Sequence, residues 1–183
     1  MSNIKSDDDF ISALMNTIKF QSIDEVRYIT NNYTNIQSVN INQQDNDGNT
    51  ALMLAVQYNE NEKVIQHLYD TFKDTIDINE QDDFGYTALM LAIEHNKNDK
   101  IIQYLCDTFK NTININKQNN YGQTALMVAA QYNKSDKVMQ YLCDTFKDTI
   151  DINKQDYNGD TALMLAVLYN TNDIVTQRLC DTF

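Results

Sequence analysis

The chain has 183 residues, a 42% apolar fraction and a formal net charge of −12, so it is long enough for one or two domains with a sizeable core and too apolar for a disordered chain. A surface this acidic repels phosphate backbones, so we expect no nucleic-acid partner, and the charge favours either a basic protein partner or solubility alone. No apolar run approaches the roughly 18 residues that span a membrane, so we expect no membrane partner.

The first nine residues are polar and acidic, a pattern that fits neither a secretory signal nor a transit peptide. The sequence therefore predicts an intracellular, cytoplasmic protein. Proline is absent and Asn, Asp, Ile, Lys and Tyr are heavily used. Such residues have AT-rich codons, which hints at a protist, an intracellular bacterium or a large DNA virus; for a viral or bacterial effector the location would be the host cytoplasm.

The N-terminal segment has the pattern of two helices. Ser6 followed by three aspartates is typical of a helix start whose charges suit the helix dipole. Ser22-Ile23-Asp24-Glu25 is a capping-box pattern that opens a second helix. Because this segment lacks the glycine turn found further along, we interpret residues 6–44 as a degenerate first repeat that caps the array.

A repeat of 37 residues follows this segment. Its markers are Gly48, Gly85, Gly122 and Gly159, each followed after one variable residue by Thr-Ala-Leu-Met. Four copies with an unchanged period indicate a solenoid, in which each unit contacts mainly its neighbours.

Each repeat predicts a turn and two helices. In the second copy, Gly85 is free to take the positive φ that a turn needs, and Thr87 caps a short apolar helix that is buried between neighbours. Asn96 is expected to end that helix in the left-handed conformation. Asn98 is expected to cap a second helix, which carries one apolar stripe as far as Phe109.

The other repeats carry equivalent residues. The expected helix-ending residues are Asn59, Asn133 and Asn170, and the expected caps of the second helix are Asn61, Ser135 and Asn172. After the second helix, Ile113 and Ile115 alternate with asparagines, which favours an extended segment leading to the next turn.

A turn, two helices and an extended return resemble the ankyrin repeat. Asp-x-x-Gly-x-Thr at Asp82, Gly85 and Thr87 matches the opening of that family's repeat, and Ile78-Asn79 matches its Val-Asn. There are departures: alanine replaces the family's proline, methionine replaces its histidine, and the period is 37 instead of about 33. The resemblance implies an all-α ankyrin repeat solenoid with short β-turn fingers, which acts as a non-catalytic protein–protein interaction module.

The repeats predict a single ankyrin repeat domain over residues 1–183. The expected units are the capping repeat, three full repeats and an incomplete last repeat, at residues 6–44, 45–81, 82–118, 119–155 and 156–183. The chain stops at Phe183 inside the expected second helix, so we expect either a fragment of a longer array, which we prefer, or a last repeat that is naturally short. Leu179, Cys180 and Phe183 would then lie near an open C-terminal end, which would also support self-association.

Catalytic, cofactor and metal sites find little support in the sequence. The repeat-equivalent cysteines, Cys106, Cys143 and Cys180, lie on helices expected about 8–10 Å apart, too far for disulfides, so we expect simple buried thiols. With two histidines in the chain, no zinc-ligand spacing, nucleophile–base arrangement or phosphate loop emerges. We therefore expect no enzyme activity, no cofactor and no metal. The methionine column, expected in the core, is Met53, Met90, Met127 and Met164.

Differences between repeats concentrate at the turn tips and at the end of the first helix, regions that the ankyrin resemblance implies as the partner-binding concave face. Independently, Phe84, Tyr86, Tyr121 and Tyr157 stand in turns that look too exposed to bury them, and exposed aromatics are typical of binding surfaces. Neutral drift at tolerant positions is the alternative. The predicted partner-binding residues are Asp47, Asn49, Tyr58, Asp83, Phe84, Tyr86, Glu94, His95, Tyr121, Gln123, Tyr132, Tyr157, Asp160 and Tyr169.

Two other functions fit the same pattern. The chain would serve as the targeting segment of a larger adaptor or enzyme whose effector region lies elsewhere. It would otherwise be a self-assembling structural repeat with no separate partner.

Overall fold

The computed structural model describes residues 6–20, 22–132, 135–170 and 173–182. In this part of the chain there are ten α-helices, one short 3-10 helix at Ile36–Ser38 and no strand. The α-helices are α1 Asp7–Phe20, α2 Ile23–Asn32, α3 Ala51–Tyr58, α4 Glu62–Phe72, α5 Ala88–His95, α6 Asp99–Phe109, α7 Ala125–Tyr132, α8 Asp136–Phe146, α9 Ala162–Tyr169 and α10 Asp173–Thr182.

The helices stack in two parallel rows. The inner row is α1, α3, α5, α7 and α9, and the outer row is α2, α4, α6, α8 and α10, each helix contacting its neighbours in the same row and its partner in the pair. Every residue of the segment Ala88–Ile93 in α5 is buried, because α5 is covered by the inner helices on both sides and by α6. The all-α repeat solenoid predicted from the sequence is confirmed.

Hydrogen bonds at the N-terminal helix pair follow the sequence pattern. The Ser6 hydroxyl accepts the Asp9 backbone N–H at 3.1 Å, and the Glu25 carboxylate accepts the Ser22 N–H at 2.9 Å. The Tyr33 hydroxyl donates to Asp7 at 2.5 Å, and this hydrogen bond raises the pKa of Tyr33 to about 12. The start of α1 is thereby tied to the segment that follows α2.

The predicted N-caps of the inner helices are confirmed. The Thr87 hydroxyl accepts the Met90 N–H at 3.4 Å, and Thr50, Thr124 and Thr161 do the same in their repeats. In the outer row Asn98 accepts the Lys100 N–H at 3.2 Å, and Asn61 caps α4 in the same way. Ser135 makes no side-chain cap bond; its hydroxyl donates to Asp99 at 2.7 Å. Asn172 lies outside the described residues.

The prediction for the end of the inner helices is wrong. Asn96 is extended, with φ −89° and ψ 128°, as are Asn59 and Asn170. Among the described residues only the four glycines have positive φ. The Asn96 side-chain amide instead donates to the carbonyls of Val56 at 2.7 Å and Asn59 at 3.1 Å in the preceding repeat. Asparagine is needed here to join neighbouring helices; the equivalent Asn133 lies outside the described residues.

The predicted extended return is also wrong in detail. The Lys117 N–H donates to the Asn114 carbonyl at 3.0 Å and closes a turn there. The asparagine before each of the first three fingers is bonded to the next repeat both as donor and as acceptor. The Asn79 amide donates to the Thr112 carbonyl at 2.8 Å and its side-chain oxygen accepts the Asn114 N–H at 2.7 Å. Asn42 and Asn116 repeat this pair of bonds. These bonds tie the segment before each of the first three fingers to the next repeat.

The last repeat departs from the expected core. Met53, Met90 and Met127 are buried as predicted, whereas Met164 is 49% exposed. Cys106 and Cys143 are buried but Cys180 is exposed. Both misses have one cause, since no further helix pair covers α9 and α10 in the described chain. Burial raises the pKa of the Cys106 thiol to about 12, with a smaller contribution from Asp107.

Candidate partner-binding surface

Four of the inner helices, α3, α5, α7 and α9, are each preceded by a tightly bonded turn, here called a finger. In the second finger the Asp82 carboxylate accepts the N–H groups of Phe84 at 2.9 Å and Tyr86 at 2.8 Å. The Asp82 carbonyl accepts the Gly85 N–H at 2.8 Å, and Gly85 takes φ +79°. Asp45, Asn119 and Asp156 make the same side-chain bonds in the other fingers. The finger backbone is therefore fixed by its own sequence.

Neighbouring fingers are bonded to each other in a row. The Asn120 N–H donates to the Phe84 carbonyl at 2.9 Å, and the Tyr157 N–H donates to the Tyr121 carbonyl at 3.1 Å. Beneath them the Gln81 side-chain amide donates to the Gly85 carbonyl at 2.5 Å and the Gln118 carbonyl at 2.9 Å. The row thus presents its tips in fixed relative positions.

Three of the four predicted finger aromatics are exposed. Phe84 is 59%, Tyr121 54% and Tyr157 77% exposed. The expectation is wrong for Tyr86, which is 8% exposed and packs edge-on against Tyr121 with ring centroids 6.5 Å apart. Tyr86 follows the glycine and directly precedes the Thr87 cap, so its side chain lies at the base of the finger instead of its tip.

Burial at the base of the finger extends to the equivalent residues. Asn49 and Gln123 are buried, and Asp160 is half-buried. The Gln123 amide donates to the Gln131 side chain at 2.5 Å, which links the finger to the end of α7. The remaining predicted residues are exposed except Glu94, which is half-buried: Asp47, Tyr58, Asp83, His95, Tyr132 and Tyr169.

A groove of about 340 Å³ lies between the fingers and the ends of α3 and α5. Four aromatic side chains line it: Tyr58, Phe84, Tyr86 and Tyr121. Three carboxylates line it as well: Asp47, Asp82 and Glu94. The other lining residues are Asn49, Gln57, Leu91 and His95. The groove therefore gathers many of the residues that the sequence predicted for partner binding.

Some predicted residues lie outside the groove, and some of its residues were missed. Those outside are Asp83, Gln123, Tyr132, Tyr157, Asp160 and Tyr169. Those missed are Gln57, Asp82 and Leu91. From the sequence, Asp82 was interpreted only as part of the turn. It lies next to variable tip residues, and this position could have indicated partner binding. Gln57 is the repeat equivalent of Glu94 and carried the same signal.

The groove has a distinct electrostatic character. Burial strongly raises the pKa of the Tyr86 hydroxyl, and the neighbouring Glu94 charge adds to the rise. Burial followed by Glu94 also raises the pKa of Tyr132, which places this carboxylate near two tyrosines. Burial raises the pKa of Asp82, against the opposing effect of the N–H groups of Tyr86 and Phe84. The tyrosines therefore remain neutral hydrogen-bonding groups at neutral pH.

Other kinds of site find no support in the described part of the chain. Residues 6–20, 22–132, 135–170 and 173–182 contain no group of three or more His, Cys, Asp or Glu side chains placed to hold a metal ion. None of the helices in those segments has the length and apolar content that crossing a bilayer requires.

Stacked helix pairs joined by bonded fingers define a helical repeat protein. The sequence profile described as ankyrin repeats matches in three copies, over residues 2–82, 61–156 and 111–182. The chain therefore belongs to the ankyrin repeat family. Ankyrin repeats are generally protein–protein interaction modules, usually bind protein partners and are typically non-enzymatic. None of the curated proteins compared with the chain is similar enough to count as a relative.

Proposed function

We propose that this protein binds a protein partner, without catalysis, through the face that carries the fingers and the C-terminal ends of the inner helices, here called the finger face. The observation that carries the proposal is the groove, in which four aromatics and three carboxylates meet on a backbone fixed by hydrogen bonds. Aromatic side chains supply large contact area at low entropic cost, and a rigid backbone reduces the entropy lost on binding.

The charge of the finger face favours a basic partner. Asp47, Asp83 and Glu94 lie on or beside the row of tips, and the whole chain carries a net charge of −12. Complementary charge speeds association and selects among partners. Nucleic acid and membrane surfaces are disfavoured by the same charge.

The predicted residues divide into two roles under this proposal. Exposed residues such as Phe84, Tyr121 and Tyr157 touch the partner. Buried residues, namely Asn49, Tyr86 and Gln123, hold the fingers in place. Each unit would begin where a finger begins, at Asp45, Asp82, Asn119 and Asp156, which supports repeats at residues 45–81, 82–118, 119–155 and 156–183 after a capping unit at 6–44.

The experiment replaces both central tips by the residue that the fourth finger carries at the same position, Asn158. In affinity capture from the native host, the Phe84→Asn/Tyr121→Asn variant should lose partners that the unchanged protein retains, with thermal stability nearly unchanged. The control is Tyr28→Ala, which removes a comparably exposed aromatic from outer helix α2. Partners captured equally by all three proteins would contradict the proposal.

Self-assembly is a second candidate, favoured by one observation. Leu163, Val167 and Leu168 of α9 are exposed together with Met164, and a contiguous apolar patch is typical of an interaction surface. A second copy of the chain would cover this patch. Light scattering over a range of concentrations should then show a rising mass that Val167→Asp/Leu168→Asp abolishes, whereas a monomer throughout would exclude it.

A further inference from the structure

The groove in the finger face is lined by more acidic than basic residues. Its lining includes Asp47, Asp82 and Glu94 and one histidine, His95, but no lysine or arginine. Lys19 forms an ion pair with Asp45 at 3.0 Å, outside this groove. Three carboxylates that line one groove without a Lys or Arg counter-charge favour a cationic ligand.

A buried polar atom at the groove also lacks a partner. Asn49 lines the groove and is 8% exposed. In the described part of the chain, its side-chain oxygen is buried and accepts no hydrogen bond. Its amide group already donates to Asp45 at 3.4 Å. A buried acceptor without a donor is costly, so this oxygen favours a ligand that donates hydrogen bonds.

The aromatic walls suit a flat cation. Phe84, Tyr121 and Tyr58 are all more than half exposed and border the groove, so their side chains are accessible to a ligand. A guanidinium group stacks on aromatic faces and can donate to several acceptors in one plane. The acceptors of the groove lie on three elements: Asp47 on the first finger, Asp82 on the second finger and Glu94 on α5. An ammonium group is more strongly hydrated and offers its charge at a single point, so it suits acceptors spread in this way less well than a guanidinium group does.

We propose that the groove receives an arginine side chain of the protein partner, stacked on the exposed aromatics and hydrogen-bonded to the groove carboxylates. This inference rests on the proposed partner-binding function and names the chemistry that the finger face selects. The volume of about 340 Å³ is at the lower end of the range for ligand sites, which fits one side chain held at the centre of a larger interface.

The test uses small probes and therefore needs no identified partner. The full chain is labelled with ¹⁵N and titrated with N-acetyl-arginine amide, N-acetyl-lysine amide (free ε-amino group) and N-acetyl-citrulline amide, the neutral isostere of the first. The arginine probe should shift the backbone resonances of Phe84, Glu94 and Tyr121 saturably. The lysine probe should bind at least about threefold more weakly, and the citrulline probe should leave these resonances in place.

The repeats provide substitutions that the fold already accepts. Glu94→Gln installs the residue present at the equivalent Gln57 and Gln131, and Asp82→Asn installs the residue present at Asn119. Each should weaken the arginine probe about fivefold. The matched control is Asp148→Asn, which removes the same charge from an exposed turn and installs the residue present at Asn111; its affinity should be unchanged.

The outcomes separate this inference from the proposed function. Equal binding of the arginine and citrulline probes, or of the arginine and lysine probes, would overturn the assignment of an arginine. Equal weakening by Asp148→Asn and Glu94→Gln would reduce the effect to net charge and would overturn it as well. If capture of a partner depends on Phe84 and Tyr121 but is unchanged by Glu94→Gln, the result would support the binding function and contradict the proposal that the groove receives an arginine.

Discussion

The Asn120 backbone N–H donates to the Phe84 carbonyl at 2.9 Å, so the tips of these two neighbouring fingers are bonded to each other. The same contact leaves no room at Gly85. A Cβ atom added to Gly85 would lie 2.6 Å from the Asn120 nitrogen, which is closer than any ordinary contact. The glycine of each of the first three fingers therefore forms its own turn and also leaves room for the finger that follows.

Gly85→Ala should destabilise the protein more than Gly159→Ala. Both glycines have positive φ, +79° and +88°, so both substitutions carry the same backbone cost of about 1 kcal/mol. Only Gly85 adds a clash, since nothing lies within 4 Å of a Cβ at Gly159; the clash should add about 1–3 kcal/mol. Urea denaturation followed by circular dichroism measures the difference, and equal midpoints for the two variants would contradict the finger contact.

Asn96→Ala should cost about 2 kcal/mol of the free energy of unfolding, because the carbonyls of Val56 and Asn59 lose their donor in a buried position. The matched control is Asn59→Ala, whose half-buried side chain donates to one carbonyl, that of Ile18, at 2.9 Å. It should cost about half as much. Thermal unfolding of both variants gives the comparison, and a larger loss at Asn59 would show that the two bonds donated by Asn96 are unimportant.

Acid should weaken the contact between α2 and α4. His67 Nε2 lies 2.7 Å from the Thr30 hydroxyl oxygen, and burial, followed by the nearby Arg27 charge, lowers the pKa of His67 against the opposing charge of Asp70. A lowered pKa means that the folded state binds this proton less well than the unfolded state. The stabilisation is therefore present above the unfolded pKa of about 6.5 and is lost as pH falls through the lower folded value.

The measurement for His67 compares the unchanged protein with His67→Gln by urea denaturation at pH 7.5 and at pH 5. The unchanged protein should lose more stability between the two pH values than the variant does, because glutamine does not titrate. The same loss in both proteins would assign the acid sensitivity to carboxylates elsewhere.

Thiol labelling should separate the three cysteines. Cys180 is exposed and should react with a maleimide in the folded protein, whereas Cys106 and Cys143 are buried and should react only on unfolding. The raised pKa of Cys106, about 12, further suppresses its thiolate. Mass spectrometry should find one fast label, and Cys180→Ser should remove it. Fast labelling of a second thiol would contradict the stacking of α6 and α8.

Local features of the fold were predictable from sequence. Thr87 caps its helix and Gly85 turns the finger because each role depends on bonds within a few residues. The role of Asn96 was not predictable in this way, since its partners lie 37 and 40 residues earlier. Asparagine is a residue type that often ends a helix in the left-handed conformation, which suggested that role. The side chain of Asn96 instead donates to carbonyls of the preceding repeat, and its backbone is extended.

In the groove as well, features local to one repeat were predictable from sequence and contacts between repeats were not. Phe84 and Tyr121 were recognisable as exposed aromatics in polar turns. Tyr86 was misplaced because the packing of its ring against Tyr121 comes from the next repeat. Asp82 was overlooked because its carboxylate already has a structural role in the finger. Its place in the lining of the groove depends on two fingers lying side by side, and no single repeat contains both.

The hydrogen bonds that Asn42, Asn79 and Asn116 make to the next repeat affect how such a chain can be lengthened. Asn79 bonds to the backbone of the following repeat, and Asn42 and Asn116 bond forward in the same way. Copying any block of 37 residues in place would create a unit whose forward and backward bonds already exist in its parents. The chain can therefore be lengthened from its middle without a new type of contact, and the added unit would carry one more finger free to change its tip.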